Sequence, residues 1–230
     1  QESPDSPLQP DADLVAIRGL VAKADWVSAN VAYKLWLAKN KTHPLHARVM
    51  FDHAWAQSMS GQSTNVLAAF QAVVRMHPKT EQANLANMWL GDDAFNSGTN
   101  HLGAEIFYKS VSSQTNAPMV LRRRATLMAG RSAMARQGFG EARKEFTRLI
   151  NDNDAPARMK SDAHFSLGDL TMLEIGITLP NAIEKLTDAT NSFYNVVQAN
   201  PTNYVAARAW GRIGDCCLLA SAKEPGYREH

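Results

Sequence analysis

Seven histidines, two adjacent cysteines, an Asp-Asp pair and a run of three arginines are the residues of this chain whose types could do chemistry. The histidines would suggest a metal, but His46 and His53 stand seven positions apart, roughly 10 Å along a helix and too far to share an ion directly. His43 and His46 flank Pro44 in a turn, and no carboxylate joins them at ligand spacing. No metal site is expected. Gly91-Asp92-Asp93 offers paired carboxylates, yet neighbours on a helix diverge and no general acid partners them. Cys216 and Cys217 have Cα atoms about 3.8 Å apart, shorter than the usual disulfide span, so they read as small buried thiols. Glycine-rich phosphate loops, a nucleophile elbow and a cysteine nucleophile with its base are all missing from the sequence. Arg122-Arg123-Arg124 opens a helix without an aromatic stacking platform; it reads as solvated surface rather than a nucleic-acid contact. Asn40-Lys41-Thr42 fits a glycosylation acceptor only in a eukaryotic secretory setting. The expectation is no catalytic residue and no cofactor.

The frame that carries these residues has 230 positions, 45% apolar and 20% charged, with a net charge of +2. That balance is ordinary for a globular chain and lacks the basic surplus of a polyanion binder. No apolar run is long enough for a membrane span. The numbering opens on Gln1, and QESPDSPLQPDAD holds three prolines, four acidic residues and no apolar periodicity. Residues 1–12 are therefore expected to form a flexible lead-in. A linker behind a removed export signal has this composition, as does a linker between domains. An exported, periplasmic or envelope-associated chain is favoured over a cytoplasmic one.

A short helical pattern recurs along the chain. AYKLWLAKNKTHP (Ala32 to Pro44), VLAAFQAVVRMHP (Val66 to Pro78), GAEIFYKSVSSQT (Gly103 to Thr115), ARKEFTRLINDND (Ala142 to Asp154) and ATNSFYNVVQANP (Ala189 to Pro201) each start on a small or β-branched residue. Each carries an aromatic at the fifth place: Trp36, Phe70, Phe107, Phe146 and Phe193, separated by 34, 37, 39 and 47 residues. Such a period is the signature of stacked helix–turn–helix units. Pro78 lacks an N–H and disfavours helix just before it, so it stops its helix. So short a helix cannot bury its apolar stripe alone; it needs neighbours.

Each window requires a partner helix upstream. Ala54, Gly91 and Gly130 lie twelve positions before three of the windows, and Gly168 lies twenty-one before the fifth, which implies an insertion of about nine residues. Helical apolar spacing surrounds them in NMWLGDDAF, TLMAGRSAM and HFSLGDLTM, and a further copy, AWGRIGDCC, follows the last window. A recurrent glycine inside a helix, unfavourable by about 1 kcal/mol against alanine, predicts a neighbouring helix too close for a side chain. The fifth pair carries the insertion EIGITLPNAIEKLTDAT, and its second helix is expected to begin near Pro180 and run about two turns longer.

These copies resemble the tetratricopeptide repeat family. The Ala-x-x-x-aromatic-x7-Pro half is matched best at Ala32/Trp36/Pro44 and Ala189/Phe193/Pro201. The Leu-Gly half is matched at Leu90-Gly91, Leu167-Gly168 and Ile213-Gly214, with Trp210 four residues before the last glycine. Ala94, Ala133, Thr171 and Cys217 stand where the family has tyrosine, and Gly19-Leu20 and His53-Ala54 stand at the Leu-Gly place of the first two repeats. The resemblance implies an all-α, right-handed α-solenoid of about five helix-turn-helix repeats plus a C-terminal helix, a single repeat domain over 13–220 and a tail over 221–230.

It also implies a concave groove lined by the first helix of each pair. The residues carried over are Arg48, Phe51, Trp55 and Met59; Leu85, Met88, Asp92, Phe95 and Asn96; Arg124, Leu127, Arg131 and Met134; and Asp162, Phe165, Asp169 and Met172. Phe51, Trp55 and Met59 share a face by helical spacing alone. The Lys and Asn set with which chaperone-binding members grip a terminal carboxylate is absent at the matching places. The implied function is a non-catalytic scaffold that binds a protein or peptide segment, apolar in character, in that groove. The rival reading is a docking or regulatory domain of a larger enzyme or envelope assembly complex.

Overall fold

The computed structural model describes residues 8–61, 65–177, 181–199, 201–202 and 204–223. Among these residues there are eleven helices and no strand. They are α1 (Gln9–Ala22), α2 (Trp26–Lys39), α3 (His46–Met59), α4 (Val66–Met76), α5 (Glu81–Asn96), α6 (His101–Ser113), α7 (Met119–Ala135), α8 (Phe139–Ile150), α9 (Ala157–Ile177), α10 (Ala182–Ala199) and α11 (Tyr204–Lys223). Their ends follow local chemistry. The Asp25 carboxylate accepts from Ser28 N–H at the start of α2, and Asn100 accepts from Gly103 N–H at the start of α6. Thr80 Oγ1 accepts from Ala83 N–H at the start of α5. α4 closes with His77 N–H on the Val73 carbonyl, immediately before Pro78.

By packing, the chain divides into two units, Gln1–Leu90 and Gly91–His230, with the boundary inside α5. In the first unit, α1 packs on α2, α2 on α3 and α3 on α4. Its core includes Leu14, Ile17, Ala29, Tyr33, Trp36 and Val49. In the second unit, each helix from α6 to α11 packs on the next, and α7 also packs on α9. Its core includes a cluster around Phe146 and Leu170 and another around Phe193, Leu186 and Ala209.

The second helix of every pair buries the same trio at positions i, i+4 and i+7: Ala29/Tyr33/Trp36, Val66/Phe70/Val73, Ala104/Tyr108/Val111, Ala142/Phe146/Leu149 and Ala189/Phe193/Val196. Fully burying each ring contributes about 2–3 kcal/mol. Two register expectations are corrected by this pattern. In α6 the ring at the conserved packing place is Tyr108, while Phe107 is only half-buried. In α2 that place belongs to Tyr33, and Trp36 fills the i+7 position. The rings Tyr33, Phe70, Tyr108 and Phe146 then follow one another at 37, 38 and 38 residues, a more even period.

α1 begins at Gln9, inside the stretch read as lead-in, and Trp36 Nε1–H donates to the Pro10 carbonyl at 2.8 Å. Residues 1–7 lie outside the described residues, as do Pro180 and the tail after Lys223. The insertion lengthens both members of the fifth pair: α9 has 21 residues and α10 has 18, against 12 in α8.

Candidate partner-binding faces

The glycines predicted to admit a close neighbour do so in three helices. A Cβ built on Gly91 would lie 2.7 Å from the Tyr108 ring, one on Gly130 2.5 Å from Phe146 and one on Gly168 2.6 Å from Phe193. Each first helix is thereby locked to its own second helix, which fixes the azimuth of its remaining faces. Gly19 and Gly214 differ: among the described residues a Cβ there meets nothing within 4 Å, so the Leu-Gly assignments at Gly19-Leu20 and Ile213-Gly214 carry no such lock.

The residue directly after the glycine is ionic in all three locked helices. Asp92 accepts from Tyr108 O–H at 2.6 Å and from Arg124 Nη2 at 3.1 Å. Asp169 accepts from Arg212 Nε at 2.9 Å and is 2.7 Å from Arg212 Nη2. Burial, together with the Asp92 carboxylate beside it, pushes the Tyr108 phenol well above the ordinary range, so it remains a donor. Arg131 donates from Nε to the Ser166 hydroxyl at 3.3 Å. The three consecutive arginines diverge: Arg122 donates to the Ser112 carbonyl, Arg123 forks onto Asp152 at 2.8 and 3.2 Å, and Arg124 reaches Asp92.

Beside Arg131 opens a cavity of about 290 Å³ between α7 and the start of α9. Leu127, Met128 and Met159 give it an apolar lining, and Arg124, Arg131, Arg158 and Asp162 stand around it. In the first unit, α3 shows a second face. Trp55 and Met59 are 46% and 50% exposed, one turn apart. Phe51, a turn earlier, is half-buried and meets Phe70 edge-on with centroids 5.6 Å apart. Arg48 is exposed and sits 3.5 Å from Asp52. Nearby, His46 Nδ1 and His77 Nε2 are 3.0 Å apart, one ring nitrogen donating and the other accepting. Burial, then the His77 charge, holds the His46 imidazole below its ordinary range.

Among the described residues no cluster of three or more His, Cys, Asp or Glu side chains could hold a metal, and no helix is long and apolar enough to cross a membrane. Cys216 is buried and Cys217 exposed, both as free thiols.

No protein-family model matches the sequence, and no curated protein sequence matches it. Solved structures do. The chain is similar to a tetratricopeptide repeat protein from Parabacteroides merdae, with a TM-score of 0.64 and 15% identity over 93% of this chain and 76% of that one. It is similar to a double mutant of MamA RS-1, with a TM-score of 0.61 and 12% identity over 84% of this chain and 95% of that one. PilW, a widely conserved type IV pilus biogenesis factor, gives a TM-score of 0.56 and 14% identity over 96% of each chain. The fold is a divergent tetratricopeptide-repeat-like array, an all-α solenoid.

Within this array the register-derived groove residues separate into groups. Arg124, Arg131 and Asp162 come together around the α7/α9 cavity, and Leu127 lines it as a buried member of the core rather than as an exposed groove residue. Trp55 and Met59 share the exposed face of α3. Asp92 and Asp169 already serve as acceptors for Arg124 and Arg212. Met88 and Phe165 are buried, so the expectation that they line a groove is corrected: Phe165 packs edge-on against Phe193 and beneath the Arg208 guanidinium. Met134 and Met172 are half-buried against the cores, while Leu85 and Phe95 are half-buried and Asn96 is exposed. Sequence reasoning missed Met128, Arg158 and Met159, which line the cavity. Their signal is weak, because Arg158 and Met159 lie in the first turn of α9, ahead of the register that the glycine sets.

Proposed function

We propose that this chain is a non-catalytic interaction scaffold that holds a polypeptide segment of a partner against the exposed faces of its first-of-pair helices. The observation that carries the reading is the α7/α9 cavity, where four register-derived residues converge on an open apolar recess. Within the first unit, the exposed Trp55 and Met59 on α3 offer a separate candidate face, since aromatic and methionine side chains left in solvent commonly mark partner sites. Binding energy would come from a few buried anchors rather than from the whole surface.

The second reading, a docking or regulatory domain of a larger enzyme or envelope assembly complex, draws on the likeness to PilW along 96% of both chains. An exported, envelope-associated location belongs to this second reading.

A random peptide library displayed on phage, panned against the intact chain, tests the scaffold. Selected peptides are expected to lose affinity on Trp55→Ala or Arg131→Glu. Affinity unchanged by both substitutions would sink the groove reading.

A further inference from the structure

The ionic residues that follow the locked glycines are not equally satisfied. Asp92 on α5 and Asp169 on α9 are each neutralised by an arginine from a later first-of-pair helix, Arg124 and Arg212. Arg131 holds the same place on α7, and its partner is the neutral hydroxyl of Ser166. Among the described residues neither Arg131 nor Arg158 makes an ion pair, and both stand at the 290 Å³ cavity. Three cations and one carboxylate, Asp162, surround an apolar lining of Leu127, Met128 and Met159.

We propose that this cavity receives an acidic-apolar segment of a partner protein. One aliphatic or aromatic side chain enters against Leu127, Met128 and Met159, and a neighbouring Asp or Glu carboxylate pairs with Arg131 and Arg158. This rests on the groove reading and names its partner's chemistry. Three physical reasons converge. The volume lies at the small end of ligand sites, about 300 Å³ and upward, which suits one or two side chains. An occupant that covers the recess strips water from Arg131, and a cation desolvated without a counter-charge is costly. Guanidinium forks grip carboxylates in a bidentate, oriented manner. Asp162 and the absence of an aromatic stacking surface in the recess weigh against a nucleic-acid strand.

The test takes a synthetic peptide selected from the displayed library, together with a version in which every Asp and Glu is replaced by its amide. Fluorescence anisotropy measures both against the intact wild-type chain, Arg131→Glu, Arg158→Glu, Met159→Ala and Trp55→Ala. Circular dichroism confirms that each variant is folded, and the exposed Arg158 is the safer arginine to change. Selected peptides are expected to place an acidic residue beside an apolar one. Amide replacement and each arginine reversal are expected to weaken binding about tenfold or more, the size of a lost charge-assisted hydrogen bond. A peptide with lysine for its acidic residue should recover affinity for Arg131→Glu. Selected peptides without carboxylates, binding indifferent to both arginine reversals, or displacement by oligothymidylate would each overturn the proposal. If Trp55→Ala and Met159→Ala weaken binding while the arginine variants do not, the acidic partner fails and the groove stands. If no displayed peptide binds, both fail.

Discussion

Gly130 in α7 and Gly214 in α11 occupy corresponding places in two first-of-pair helices, and they have opposite surroundings. The Phe146 ring fills the space where a Cβ of Gly130 would go, whereas none of the described residues lies within 4 Å of a Cβ on Gly214. The same residue in the same motif is thus a packing requirement in one helix and only a helix-weakening residue in the other. What differs is the second helix: α8 supplies Phe146 to α7, while the described residues supply no ring to that face of α11. A glycine in a repeat motif is informative only with the aromatic that answers it.

The largest test of this comparison removes the ring. Phe146→Ala, in a side chain with no exposed surface, should destabilise the chain by about 3–5 kcal/mol in denaturant unfolding. A loss near that of an exposed position would contradict the lock. Next come the glycines themselves. Gly130→Ala should cost about 1–3 kcal/mol because the pinned ring must move, while Gly214→Ala should stabilise by up to about 1 kcal/mol through helix propensity. Equal effects at the two sites would dissolve the distinction. Combining Gly130→Ala with Phe146→Ala sharpens it, since the penalty at Gly130 should shrink once the ring is gone.

The smallest expected effect concerns a different kind of lock, in the first unit, where Ala54 stands at the glycine place and a polar contact, His46 to His77, ties α3 to the end of α4. Burial holds His46, His53 and His164 below their ordinary range. The unfolded chain therefore takes up protons at about pH 6.5 before the folded one does. The stability from these neutral imidazoles is full above that pH and declines as pH falls through and below it. Thermal melts should show the melting temperature dropping between about pH 7 and about pH 5, less steeply in His46→Gln. A slope unchanged by that substitution would leave the His46 contact without a role in pH dependence.

Much of this arrangement is legible in the amino-acid sequence. Helical apolar spacing, the Ala-x-x-x-aromatic pairs and the terminal prolines pointed to paired short helices, and the glycines at 91, 130 and 168 pointed to close neighbours. The register of α6 is ambiguous in sequence because Phe107 and Tyr108 are adjacent, and either ring can close a helical stripe. Tyr108 occupies the buried place because its ring spans Gly91 and its hydroxyl finds Asp92, a match that Phe107 has no hydroxyl to make. In α2, Tyr33 and Trp36 are both buried, and only the shared i, i+4, i+7 burial pattern separates their roles. Register alone gives Trp55, Met59, Arg124 and Arg131 the same standing as Met88 and Phe165, and only burial separates the last two as core. A stripe of 3.6-residue period tells which residues share a face, not whether a neighbouring helix covers it.

The amino-acid sequence by itself determined that the chain forms short amphipathic helices in pairs, because local periodicity, capping residues and proline stops act over a few residues of contiguous chain. Only the tertiary structure decided which of two adjacent rings enters the core, which glycine is filled and which stands open, and that Asp92 and Asp169 find arginines while Arg131 meets a hydroxyl. Those outcomes depend on side chains some 16 to 43 residues apart meeting across helices, and no local pattern encodes the geometry of that meeting.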